Sequence, residues 1–126
     1  MTHKFEIYNH AQYENRSKVP PKIKEKWLEA LRSGNYNQIQ ERLSSPEGYC
    51  CLGVLCEVLE IPKSVSPVIQ YEGSQSTLPY SVTKKTDLTK YGDFNGFTIN
   101  EKYTLADLND SGASFELIAH IIETYF

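Results

Sequence analysis

The stretch Gly48 to Cys56, GYCCLGVLC, constrains this chain more than any other. Together with Val58 and Leu59 it leaves almost no polar face until Glu57 and Glu60. A helix that is apolar all round belongs inside a protein. A buried second helix is therefore expected from near Gly48 through Leu59, ending before Pro62. Gly53 costs such a helix about 1 kcal/mol relative to Ala, which makes structural sense where another backbone comes too close for a side chain. Cys50, Cys51 and Cys56 are odd in number and crowded together, whereas a disulfide scaffold uses spread, even-numbered cysteines. They also lack the C-x2-C spacing that lets two thiolates share one zinc ion, and His3, His10 and His120 lie far away in sequence. A nucleophilic cysteine needs a base and partial exposure, and neither is offered by the most apolar part of the chain. The segment reads as structural core with free thiols in a reducing compartment, so no metal and no cofactor are expected.

The length of 126 residues fits one domain spanning 1–126, able to bury roughly two thirds of its unfolded surface. No apolar run approaches the ~20 residues of a membrane span, and MTHKFEIYNH has no apolar leader region. Neither membrane insertion nor secretion is expected. A net charge of −3 does not favour binding of a DNA or RNA polymer. The charge is uneven, however: Arg16 to Arg32 carries +4, and Glu101 to Phe126 carries −4. A small anionic ligand could use the basic end, or two solvated helix faces simply differ in sign.

Periodicity places the first helix over Pro21–Ser33. Proline is preorganised for a first turn, Ile23, Trp27, Ala30 and Leu31 form the apolar stripe, and Gly34 supplies the stop. Residues 1–18 read as an edge strand around Lys4 to Tyr8 or as a mobile arm. From Pro62 to Tyr103 short apolar pieces alternate with Gly, Pro, Ser and Asn, which suggests two to four short strands. Val65 to Tyr71, Thr77 to Val82, Leu88 to Tyr91 and Phe97 to Ile99 are the pieces. A hairpin turn is expected at Asp93 to Gly96. Thr104 to Asp107 resembles a capping box, and Ser114 is placed to cap a last helix from Phe115 to about Tyr125. Its stripe is Phe115, Ile118, Ala119, Ile122 and Phe126, with Glu116, His120 and Glu123 outside. The fold class is α+β, three main helices packed with a small, mostly antiparallel sheet.

Among chemical motifs, Asp107, Asn109, Ser111 and Gly112 match the start of a Ca²⁺ loop, but its twelfth position is Ile118 instead of Glu. A tight turn bonded by its own side chains explains the pattern better. No G-x-S-x-G, Walker loop or G-x-G-x-x-G occurs, so the protein is read as a non-enzyme. What remains is a binding signal of cationic residues interleaved with aromatics: Trp27, Arg32, Tyr36, Gln38, Arg42 and Tyr49. Arginine suits phosphate oxygens, an aromatic face suits base stacking, and a glutamine amide suits a base edge. Trp27 also fits a core position, and Arg32 a cap on the last carbonyls of its helix.

Lys26 to Gly34 with Tyr36 and Gln38, then Gly48 to Cys56, then Leu78-Pro79, then Leu105 to Gly112 with Phe115, Ile118 and Ala119, form an ordered series. This series resembles a widespread family of small bacteriophage proteins with KWxxALRSGxYxQ, GYCCLGVLC and LxxLNDxGxSFxxIA blocks. The resemblance covers residues 26 to 126 with a variable middle, and the lysine- and tyrosine-rich character looks like a phage of a Gram-positive, Bacillus-type host. It is similar to anti-CBASS sponge proteins, which bind a host cyclic dinucleotide without cleaving it. The resemblance therefore implies a phage anti-defence protein in the host bacterial cytoplasm that sequesters a signal such as 3',3'-cGAMP. Direct inhibition of a host protein and hydrolysis of a nucleotide signal are the alternatives. Monomer and homo-oligomer both stay open.

Overall fold

The computed structural model describes residues 19–94, 97–99 and 101–126. The reading of residues 1–18 as a strand or an arm lies outside them. Helix α1 (Pro21–Arg32) starts on the expected proline, with Trp27 and Leu31 buried and Ile23 and Ala30 half-buried against the core. Its end is closed by Ser33, whose hydroxyl donates to the Ala30 carbonyl at 2.7 Å, and by Gly34 at φ 80°.

The segment Gly48 to Leu59 divides where a single helix was expected. Ser44–Ser45 (β1) pairs antiparallel with Gly48–Tyr49 (β2), in the register Ser44 opposite Tyr49. The Tyr49 N–H donates to Asn37 O at 2.8 Å, and its carbonyl accepts from Ile39 N at 2.9 Å. With both backbone groups taken by the preceding loop, Tyr49 has none left for a helical ladder. A short apolar run does not distinguish strand from helix, which is why the sequence missed this division. Cys50 is the cap: its Sγ accepts from the Gly53 N–H at 3.4 Å, and α2 runs over Cys51–Val58. Cys51 to Cys56 are all buried. The close approach expected at Gly53 is present, because a Cβ there would lie 1.7 Å from the Leu43 carbonyl oxygen.

In the middle of the chain, Lys63–Ser64 (β3) pairs antiparallel with Gln70–Tyr71 (β4). The next apolar piece is not extended. Tyr80–Thr86 forms helix α3, opened by Pro79 and stopped by Asp87 at φ 61°. The hairpin expected around Asp93 to Gly96 has its Asn95 and Gly96 outside the described residues. Tyr91 and Gly92 are tied to the following helix: Gly92 O accepts from Leu105 N at 3.1 Å, and Tyr91 O from Ala106 N at 3.2 Å. Phe94 and Phe97 each bring a ring centroid to 4.9 Å from Phe126. Aromatic packing on the C-terminus therefore directs this segment.

Both C-terminal caps form as read. Thr104 Oγ1 accepts from Asp107 N at 3.0 Å to open α4 (Leu105–Asp110). Ser114 Oγ accepts from Leu117 N at 3.1 Å to open α5 (Phe115–Tyr125). Helix α1 packs on α5 and α2, and α2 on α4, around one continuous apolar core. The class is α+β. Its main helices are α1, α2 and α5, and α3 and α4 are shorter. The strands are split between two separate two-stranded antiparallel sheets.

Candidate functional site: a groove between helix ends

The three sequence blocks meet at one buried amide. Asn109, fully buried, accepts through Oδ1 from the Cys51 N–H at 3.1 Å and from Gln38 Nε2 at 2.8 Å. Its Nδ2 donates to Ile39 O at 2.7 Å. Gln38 Nε2 also donates to Ala113 O at 2.8 Å. Leaving any of these groups unpaired inside the protein would carry a desolvation penalty, so Gln38 and Asn109 are bound into the frame. This corrects the reading of Gln38 as a base-edge contact. It also disposes of the Ca²⁺-loop pattern, since Asn109 turns inward and Ile118 is fully buried. Trp27 is corrected in the same way: its ring is fully buried and its Nε1 donates to Cys51 O at 3.0 Å, which leaves no face for stacking.

Arg32 and Tyr36 do come together. They flank a groove of about 500 Å³ between the end of α1 and the start of α5, floored by Leu31 and Phe115 and rimmed by Ser114 and Glu116. Tyr36 is half-buried and is braced by Tyr49, whose ring meets it edge to face at 5.1 Å between centroids. Tyr49 does not line the groove. Its other neighbour is Lys63, whose ammonium lies 6.0 Å from its ring and 5.7 Å from that of Tyr71. Lys63 Nζ in turn donates to Glu57 Oε2 at 2.7 Å, and the Tyr71 hydroxyl donates to the same oxygen at 2.6 Å. Bonding to Glu57 raises the Lys63 pKa, while burial first and Glu57 second push the Tyr71 phenol up. This network reaches Tyr49 through the Lys63 ammonium, and Tyr36 is backed by the Tyr49 ring itself.

Arg32 makes a two-pronged contact across the helix pair. Its Nη2 lies 3.1 Å from Glu123 Oε1 and its Nη1 3.3 Å from Oε2. The hydrogen bond to Arg32 is the main reason that the Glu123 carboxyl is held below the usual range. The same contact raises the Arg32 pKa, with smaller help from the charge of Glu116. Lys24 Nζ adds a bond to the Glu123 backbone carbonyl at 3.3 Å. The opposite charges of the two chain ends thus meet along α1 and α5. Sequence reasoning missed Phe115, Glu116 and Glu123 as neighbours of Arg32, although the +4 and −4 segments carried the signal.

Arg42 sits elsewhere. It lines a separate hollow of about 200 Å³ that also takes in Glu41, Asp107 and Asp110. The expected pairing of Arg32 with Arg42 in one site is therefore not what the fold produces, because α1 and the loop after it present them to different surfaces. Cys50 borders that hollow, but its thiol is pushed up to about 11, chiefly by burial. Burial raises the Cys51 and Cys56 thiols too. Thiols held protonated at neutral pH are poor nucleophiles. Among the described residues no group of His, Cys, Asp and Glu is arranged to hold a metal ion, and no helix is long and apolar enough to cross a membrane.

The chain belongs to the DUF8296 family, a domain of unknown function, which matches residues 19–126. The match therefore takes in the irregular middle as well as the three blocks. No curated protein and no solved structure matches the chain.

Proposed function

We propose that this DUF8296 protein is a phage anti-defence factor that binds a cyclic dinucleotide immune signal, such as 3',3'-cGAMP, and sequesters it uncleaved in the host bacterial cytoplasm. One observation carries the reading: Arg32 and Tyr36, an anion ligand and an aromatic face, flank the same apolar-floored groove. Its volume of about 500 Å³ falls within the range of small-ligand sites. A guanidinium fork suits a phosphate diester, and the braced Tyr36 ring offers a base something rigid to stack on. Sequestration asks for tight binding and for no reacting group. A Kd near 1 nM corresponds to about −12 kcal/mol. The Arg32 fork and the Tyr36 face serve one phosphate and one base, and the second base and phosphate need contacts beyond them.

The test is thermal shift against a panel of cyclic di- and trinucleotides and TIR-type signals, followed by denaturation and analysis of the released small molecule. A large shift with intact ligand recovered is expected. Arg32→Ala should weaken binding about tenfold or more, as loss of a charge-assisted contact does, while melting of the ligand-free protein stays nearly unchanged. Arg42→Ala, in its separate hollow, should weaken it less. Cleaved ligand would instead indicate a hydrolase.

A second reading has its own observation. Val65, Tyr80, Tyr91 and Tyr103 are exposed large side chains, all from the middle of the chain. Exposed aromatics are favoured anchors in protein interfaces. Absence of any shift with every nucleotide would leave inhibition of a host protein through this surface as the better account.

A further inference from the structure

Arg32 is the cation of the groove, and it is already occupied. We infer that Glu123 is a gate on Arg32: from beyond the residues that line the groove, its carboxylate occupies the guanidinium fork that a ligand phosphate would use, so that the fork accepts only anions able to displace it. The inference rests on the binding reading above, and it names the residue that sets which anions are accepted.

The geometry supplies the argument. Both carboxylate oxygens of Glu123 face the guanidinium, at 3.1 and 3.3 Å. A phosphate uses the same fork with the same two parallel bonds, so carboxylate and phosphate compete for one set of donors. The pair is exposed, with side chains 39% and 55% accessible for Arg32 and Glu123. Exposed pairs are weak and screened by salt, which makes this one displaceable. The end of α5 does not depend on the carboxylate, since Lys24 holds the Glu123 backbone carbonyl and Phe126 N bonds Ile122 O at 2.9 Å. Glu123 can swing away without loosening the helix. Glu116, on the groove rim, adds a second negative charge that a weak anion must overcome. A carboxylate ligand gains nothing over Glu123, and a single phosphate diester, with one charge and two free oxygens, gains little by charge alone. Pyrophosphate brings more charge to the fork, and a cyclic dinucleotide adds a second phosphate and stacking on Tyr36.

The experiment titrates the full chain with inorganic pyrophosphate and, separately, with 3',3'-cGAMP, by calorimetry. Wild type, Glu123→Gln, Arg32→Ala and the double variant are compared, with melting temperatures as the control on folding. Glu123→Gln keeps the side-chain size and removes the competing charge. It should tighten pyrophosphate binding by about three- to tenfold, the scale of a weak exposed pair plus relief of repulsion. That gain should vanish in the Arg32→Ala background, because it acts through Arg32. Glu123→Asp, which keeps the charge on a shorter arm, should gain less than Glu123→Gln. An unchanged affinity in Glu123→Gln, an equal gain without Arg32, or no pyrophosphate binding by any variant would each overturn the gate. If 3',3'-cGAMP binds wild type and the gain is missing, the gate falls and the binder reading stands. If the Arg32-dependent gain appears with pyrophosphate while 3',3'-cGAMP binds no variant, the gate stands and the cyclic dinucleotide reading falls.

Discussion

The frame of the molecule, residues 19–61 and 104–126, and its middle, residues 62–103, solve burial differently. In the frame, α1, α2, α4 and α5 enclose one another, and polar groups that go inside arrive with partners: Asn109 satisfies Cys51, Gln38 and Ile39 at once. The middle buries Tyr71, Val82, Phe94 and Ile99 against that frame, yet it also holds all four exposed large apolar side chains of the described residues. A segment that packs as an appendage buries one side of each short piece and leaves the other in water. The frame is thus built for rigidity, and its groove is a by-product of two helix ends meeting. The middle is where surface chemistry is displayed. The comparison explains why the two functional readings fall on different regions.

The sharpest way to break this comparison is Gly53→Ala. A methyl group 1.7 Å from the Leu43 carbonyl oxygen must push two backbones apart, so the loss should be about 3 kcal/mol, the upper end for overpacking. Urea denaturation measures it, and a change below 1 kcal/mol would show that the loop around Leu43 yields easily and that the frame is not rigid there.

Counted per thiol, an effect of intermediate size is expected from alkali. The three thiols have an ordinary pKa of 9.0 and are raised in the folded protein, Cys50 to about 11. Above pH 9 the unfolded chain therefore releases protons that the folded protein retains, and stability falls as pH rises. The slope should reach about 1.4 kcal/mol per pH unit for each thiol, levelling first for Cys50 as pH approaches its folded value. Below pH 9 the thiols should leave stability flat. Urea midpoints at pH 7, 9 and 10 test this, and a Cys51→Ala, Cys56→Ala double variant should fall less steeply. An equal slope in that variant would place the alkaline sensitivity outside the core helix.

The smallest effect belongs to the middle. Tyr80 is 76% exposed and Tyr103 63%, so Tyr80→Ser and Tyr103→Ser should each change stability by no more than about 0.5 kcal/mol. A larger loss for either would mean that these rings are structural and would weaken the case for an interface there.

Much of the frame was legible from residue pattern because its signals are local. Pro21 and Gly34 bound α1, Thr104 and Ser114 cap α4 and α5, and an all-apolar run around Cys51 has nowhere to go but inside. Three readings failed. The Gly48–Tyr49 strand and the fate of Tyr91–Gly92 depend on which distant backbone groups claim the hydrogen bonds, and a run of a few apolar residues does not encode its partner. The α3 helix at Tyr80–Thr86 closes its own local ladder between Pro79 and Asp87, and a short apolar piece does not by itself tell helix from strand. The candidate site shows the same limit. Residue type alone proposed Arg32, Tyr36, Gln38, Arg42, Tyr49 and Trp27 as one constellation.

Tertiary structure kept Arg32 and Tyr36 at one groove and set Tyr49 behind them as a brace. It sent Arg42 to another surface, tied Gln38 to Asn109 and Ala113 in the frame and committed Trp27 to the core. The cysteine-rich segment illustrates the division. Its burial and its lack of metal spacing were determined by the sequence itself, since apolarity and spacing are properties of the chain. Its break into a strand, a cap and a helix was decided only by Asn37, Ile39 and Leu43 coming alongside, and so was the meeting of Arg32 with Glu123, because contacts between residues far apart in the chain exist only once the helices have packed.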